Sequence, residues 1–401
     1  MRKPALAFAL VIFLASLPRN ASAYPIPPVT LWQLVQQADV VVLARVERIE
    51  YAERPADKPF DGPWDRDIAV LRVLETWKGR EKTEIPVSFC STMICPAPPR
   101  FEKGEVVLAF LETGETQTLR WRAERAETEA KRRLRTPEEI AAEEEEMRKY
   151  GYEPPTPEQE ARQDADAEKS VREYDEWAAG RWFAVALSYS TLYPAEEDRP
   201  VFRELVARAV RLQAAGKVDP ADRREWLISA AERRATRWQG LYELTPVSDS
   251  LHYSYDDERR DAPEVLSREE LARIARGFVR EPSVDSTLMM LLTLLAPLPD
   301  EAVDRAAVAA IETALEKRPK AWWLPDAMAR TLERFGEKNP DSRLTQENPD
   351  CKPPRLVCER VGSTALPEIW EKARRELGIP RVTPATVPER RVSGVGGETP
   401  D

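Results

Sequence analysis

The spacing of apolar positions changes along the chain, and each change marks a different kind of element. In TLWQLVQQ (30–37), Leu31, Leu34 and Val35 fall on one helical face. In ADVVVLARVERIE, which follows at once, the period is two. Val40, Val42, Ala44 and Val46 lie on one side, with Arg45 and Glu47 on the other. IAVLRVLETW (68–77), IPVSF (85–89) and EVVLAFL (105–111) are further β-branched and aromatic runs of strand length, with Gly79 and Gly104 at turns. A small antiparallel barrel or sandwich is the expected result.

Charge then dominates until RWFAVALSYSTLY (181–193), which reads as one more strand. Phe183, Val185, Leu187 and Tyr189 alternate there with Ala184, Ala186 and Ser188. A strand resuming so late predicts a single barrel interrupted by an insertion at about 113–178. Thr136-Pro137-Glu138-Glu139 and Thr156-Pro157-Glu158-Gln159 each combine a threonine cap, a proline at the first helical position and an acid or amide at the third. Gly151 and Gly180 stand at the ends, so two helices are expected in the insertion. Their apolar faces are narrow: Ile140, Met147 and Tyr150 on the first, Val171, Tyr174 and Trp177 on the second. A solvated excursion is the plain reading, and a binding arm the alternative.

The third region, 198–378, is helical. Phe202, Leu205, Val206, Ala209 and Val210 form one stripe after Asp198, and Asp219-Pro220 opens a long helix through Leu244 with Trp226, Leu227, Ala230, Trp238 and Leu241 buried. Ser267 starts a capping box before Leu271, Ile274, Ala275 and Phe278. STLMMLLTLLAPL is apolar all round and should be the central helix. Asp300 caps a helix through Val303, Ala307, Ile311 and Leu315. Pro325 starts another carrying Met328, Leu332 and Phe335, with Trp322 and Trp323 before it expected in the core, and LPEIWEKARREL is the last. Helix pairs offset by roughly 35 to 40 residues fit a HEAT-like solenoid, with an irregular bundle as the alternative. The tail from 379 to 401 is rich in proline, glycine and charge, a composition of disorder. The expected class is α+β and multidomain: an OB-like barrel with a charged helical insertion over 24–197, then an all-α region over 198–378.

The first 23 residues, MRKPALAFALVIFLASLPRNASA, have a basic start, a short apolar run and a small-residue cleavage signature ending at Ala23. They read as a signal peptide, which places the mature chain in the periplasm or outside the cell. No other stretch has the length of a membrane span. Cleavage removes three basic and no acidic residues, taking the formal net charge from -10 to -13. So acidic a chain repels phosphate backbones, which argues against nucleic acid; a protein is the partner expected by elimination.

Export changes the meaning of the four cysteines. Cys90 with Cys95, and Cys351 with Cys358, read as two local disulfides, the other pairings staying open. Zinc would need histidine partners or CxxC-like spacing, and the chain has a single histidine. That histidine sits in the best local collection of chemically able side chains: His252, Tyr253, Tyr255, Asp256 and Asp257. No serine or cysteine nucleophile has a recognisable setting, so no catalytic residue, metal or cofactor is assigned.

The order ADVVVLARV, AVLRVLETWKG, IPVSF and FEKGEVVLAFL, with Trp77-Lys78-Gly79 and Lys103-Gly104 at strand ends, resembles the N-terminal part of secreted bacterial proteins with an OB-like domain of the tissue-inhibitor-of-metalloproteinase or netrin type. The resemblance covers about a quarter of the chain and implies a barrel, and through the family an inhibitor of metalloproteases. Tyr24 stands where that family has a chelating cysteine, so no site residue carries over. The expected function is a non-enzymatic interaction or scaffold protein of the bacterial envelope. A protease inhibitor acting through the barrel and a hydrolase centred on the His252 loop are the alternatives.

Overall fold

The computed structural model describes residues 29–52, 67–91, 98–149, 151–245, 265–319, 321, 323–340, 344 and 366–382. A short helix, α1 (Leu31–Gln37), is closed by a reciprocal capping box between Thr30 and Gln33. Strands β1 (Val40–Glu50), β2 (Asp67–Lys78), β3 (Glu84–Phe89), β4 (Val106–Thr113) and β5 (Trp182–Ala184) follow, ordered β1-β2-β3-β5-β4 with β4 pairing back onto β1. The ring is a closed five-stranded barrel.

The barrel is not wholly antiparallel as its strands' patterning predicts: β3 and β5 run parallel. An odd number of strands in a closed ring cannot alternate direction all the way round, so one pair must be parallel. The strand expected over 181–193 is also divided. After Ala184 the chain leaves the ladder, makes a 3-10 turn over Leu187–Ser190 and rejoins β4 at Thr191–Leu192. The whole span from Ala184 to Thr191 lies opposite only Leu111 to Ala109. Alternation alone could not show this, because the looped residues keep the apolar character of a strand.

Two cores explain the sequence of β1 and β4. Val40, Val42, Ala44 and Val46 meet Ala69, Leu71, Ile85, Val87, Val107, Ala109 and Leu111 inside the barrel. Their neighbours Val41, Leu43, Leu108 and Phe110 face outward but are buried beneath the helices. Strands buried on both faces read as continuous apolar runs, which is why VVVLA and VVLAFL lack strict alternation. Phe110, wholly buried, contributes about 1.5–3 kcal/mol by this burial alone. Irregular register at three points lets β1 curve around the barrel. At the turn after β2, Gly79 has φ +85°, and a Cβ there would lie 2.6 Å from the Asp39 carbonyl oxygen.

Three helices, rather than the two expected, form an arm between β4 and β5: α2 (Gly114–Arg133), α3 (Pro137–Lys149) and α4 (Pro157–Ala178). The boxes at Thr136 and Thr156 form as the sequence implies. The unforeseen α2 starts straight from a strand. The Thr113 hydroxyl accepts from the Thr116 amide at 3.2 Å, but no acid or amide completes a box.

The remaining helices are α5 (Arg199–Ala214), α6 (Pro220–Glu232), α7 (Arg237–Leu244), α8 (Arg268–Arg280), α9 (Thr287–Leu294), α10 (Glu301–Lys317), α11 (Leu324–Arg334) and α12 (Leu366–Glu376). They stack in two rows, with α6, α8 and α10 in one and α7, α9 and α11 in the other. The apolar α9 is buried on nearly all sides, and Trp323 lies in the core; Trp322 is outside the described residues. The first residues of the expected tail, 379–382, are placed against the helical body, and the rest lie outside the described residues. Ile379 is buried behind Gly378 (φ +67°), and Val382 donates its amide to Glu312.

The stretch from Pro220 to Leu244, expected as one helix, breaks at a 3-10 turn over Arg234–Thr236. The break lets the buried Arg237 turn back on α6. Its Nε donates to the Ala231 carbonyl at 3.1 Å, while Nη1 reaches the carbonyl of Glu281 at 2.7 Å and the hydroxyl of Ser283 at 2.6 Å. One cation thus closes the carboxyl ends of α6 and α8, where helix dipoles favour positive charge. Arg334 does the same for α9 through the Leu295 and Leu298 carbonyls, and Lys78 for α1 through those of Val35 and Ala38. Among the described residues no helix is long and apolar enough to cross a membrane.

Candidate functional site

The root of the arm concentrates the features that packing alone does not require. Gly114 N–H donates to the Arg181 carbonyl at 3.0 Å, and a Cβ at Gly114 would sit 1.9 Å from the Ala178 carbonyl oxygen. The two ends of the arm therefore cross in backbone contact, and the arm leaves the barrel as a closed hairpin. Glu115 accepts from Gly180 N–H at 3.0 Å, the Tyr174 hydroxyl donates to Gln117, and Arg122 pairs with Asp175.

A chain of aromatic rings runs outward from this crossing. Phe183, buried at the barrel, lies 5.4 Å from Trp177; Trp177 lies 5.5 Å from Tyr174; Tyr174 lies 5.2 Å from Trp121. The Arg181 guanidinium stands 4.9 Å over the Trp177 ring. Tyr174 and Trp177, two residues of the narrow face read from the sequence, therefore pack at the barrel end of α4, and the third, Val171, is half-buried. Of the other expected face, Ile140 is 44% exposed and Met147 half-buried, while Tyr150 lies outside the described residues. Exposure also marks Leu119 (66%), Trp121 (51%), Leu134 (82%) and Tyr152 (67%).

At the inner end lies Glu112. Its side chain is wholly buried; Oε1 accepts from Arg120 Nη2 at 2.5 Å, and Oε2 has no hydrogen-bond partner. Burial pushes its carboxyl up to about 7, outweighing the opposing pull of Arg120, and the nearby Asp39 adds to the rise. Asp39 itself accepts from the Thr113 amide at 2.8 Å. The group can bind or release a proton near neutrality, but no substrate reaches a carboxyl so enclosed. Sequence reasoning did not single it out. The available signal was an acid sharing the strand face of Leu108 and Phe110, which the helices cover.

Other sequence-based candidates fall elsewhere. His252, Tyr253, Tyr255, Asp256 and Asp257 lie outside the described residues, as do Cys95, Cys351 and Cys358. Cys90 is half-buried just past β3, beside Ser91, whose amide donates to the buried Asp67. Among the described residues no group of three His, Cys, Asp or Glu side chains is placed to hold a metal ion. A polar cavity of about 310 Å³ is lined by Glu232, Arg273, Arg276, Gly277 and Arg280. Two of its arginines are paired, Arg273 with Glu225 and Glu232 and Arg280 with Glu281. Comparison with family models, with curated proteins and with solved structures returned no match.

Proposed function

We propose that this chain is an exported, non-enzymatic interaction protein of the bacterial envelope, in which the arm α2–α4 is the contact element for a protein partner. The observation that carries this reading is where the large apolar side chains meet solvent. Among the described residues, nine large hydrophobic side chains are exposed. Five of them, Leu119, Trp121, Leu134, Ile140 and Tyr152, belong to the arm. Scattered exposed apolar residues need no explanation, but their concentration on one projecting hairpin does.

An OB-like head of the inhibitor or netrin type is the finer reading of the barrel. Five strands, closure of β4 onto β1 and long connections after β1 and β4 all support it, because that fold binds through those two connections. Here the second connection is the arm. The two rows of helices support a HEAT-like body, a scaffold that presents surface rather than chemistry.

Partner capture by the mature chain tests the reading, set beside a version with 115–178 replaced by a short turn and beside Leu119→Ala/Trp121→Ala. Retention of one defined partner by the intact arm, and its loss in both variants, is the expected outcome. Equal capture by the armless chain would overturn the assignment.

A further inference from the structure

We propose that the root of the arm is a proton-operated latch: with Glu112 neutral, α2 stays seated on the barrel, and ionisation of Glu112 unseats it. The inference rests on the arm as the working element, but concerns how its position is set rather than what it binds.

The charges around Glu112 do not balance. From α2 it faces Arg120, with the neutral Gln117 and, further along, Glu124 and the exposed Glu115. From the corner between α1 and β1 come Gln37, to which Arg120 also reaches at 3.4 Å, and the carboxylate Asp39. From β2 comes Lys78, whose ammonium donates to the Val35 and Ala38 carbonyls and is attracted to Asp39 rather than to Glu112. The segment after β5 offers only the Val185 carbonyl, 3.5 Å from Arg120. The return helix α4 meets α2 through Tyr174 on Gln117 and Asp175 on Arg122, so it adds no cation to Glu112. One guanidinium therefore meets the buried Glu112 directly while Lys78 answers Asp39, and Glu112 is sealed from water with its Oε2 lacking a geometric hydrogen-bond partner.

A buried anion so placed is relieved by water, and water enters by separation of α2 from β4. The seated root binds the Glu112 proton more tightly than the open one does. Its carboxyl is pushed up to about 7 when enclosed and returns toward its ordinary range when solvated. The sign follows: seating is fully favoured below roughly pH 4.5 and is weakened by up to about tenfold per pH unit as pH rises to about 7.

Hydrogen exchange of the root amides in the full mature chain reads the latch directly. The Thr113, Gly114 and Thr116 amides are held by Asp39, the Arg181 carbonyl and Thr113. Protection is corrected for intrinsic pH dependence and referenced to β2 amides. We expect protection at the root to fall by about tenfold or more between pH 5.5 and 8. In Glu112→Gln, which cannot ionise, the profile should be flat. Arg120→Ala, lacking the cation that favours the carboxylate, should move the midpoint to higher pH. A flat wild-type profile, an unchanged profile in Glu112→Gln, or an unmoved midpoint in Arg120→Ala would overturn the latch. If the glutamine variant does not fold, a ¹³C titration placing the wild-type Glu112 carboxyl below pH 5 would overturn it instead. Because the readout is seating and not capture, loss of the partner reading would leave this result standing.

Discussion

Replacing Arg237 with alanine should cost the helical body about 3–5 kcal/mol. The guanidinium is wholly enclosed, with short bonds to the Glu281 carbonyl and Ser283 hydroxyl, an intermediate one to Ala231 and a long one, 3.4 Å, to Glu232. Removing it strands three good acceptors at about 1–3 kcal/mol each. A cavity of side-chain size adds roughly 2 kcal/mol. Against this, the folded chain is relieved of a costly cation. Burial lowers the Arg237 pKa from 12.5 to about 10, a penalty of about 3 kcal/mol that the variant recovers. Together these terms bracket the net at about 2–8 kcal/mol, with the expected 3–5 within it. Urea unfolding of the full chain, followed by tryptophan fluorescence and by far-UV circular dichroism, measures it. Arg237→Lys should fall between, since one ammonium cannot span both helix ends. A loss below about 1 kcal/mol for alanine would refute the reasoning, because it would mean that water caps α6 and α8 as well as the arginine does.

Three further outcomes follow from the same geometry. Gly114→Ala should destabilise the arm root by about 1–3 kcal/mol or more, because the contact at Ala178 is backbone and cannot move aside; denaturation and local hydrogen exchange would show it, and wild-type stability would refute it. Thr156→Ala should remove about 1 kcal/mol from α4 and lower arm protection while leaving β2 unaffected. Glu270, held down to about 2 chiefly by its bonds from Arg224, favours the fold above its ordinary pKa near 4.5; this contribution is lost as pH falls toward about 2. Acid titrations of wild type and Arg224→Gln should therefore differ at neutral pH and converge at pH 2, and parallel curves throughout would contradict the pairing.

Much of the architecture was legible in the chain because it depends on neighbours in sequence. A capping box needs only a threonine or serine and an acid or amide three residues on, so Thr136, Thr156 and Ser267 announced their helices. Period two identified β1, β-branched and aromatic runs of strand length identified β2 to β4, and the unbroken apolar character of 287–294 identified a helix with no solvent face. Local rules failed where a remote group decided. The turn at Arg234–Thr236 exists so that Arg237 can reach α8, more than forty residues away. The missed helix α2 begins on a glycine chosen by the backbone of Ala178, at the far end of the arm.

The sequence by itself determined the barrel strands, the helical insertion and body, and the composition of each face, since these follow from side-chain periodicity and local hydrogen bonding. Tertiary structure alone decided the parallel pairing of β3 with β5, the division of the strand after Ala184 and the sealing of Glu112. Ring closure, register and burial are properties of segments brought together across the chain. A glutamate near the end of an apolar strand reads the same whether it meets water or not; the packing of α2 against β4 leaves this one without water and gives it a titration near neutrality.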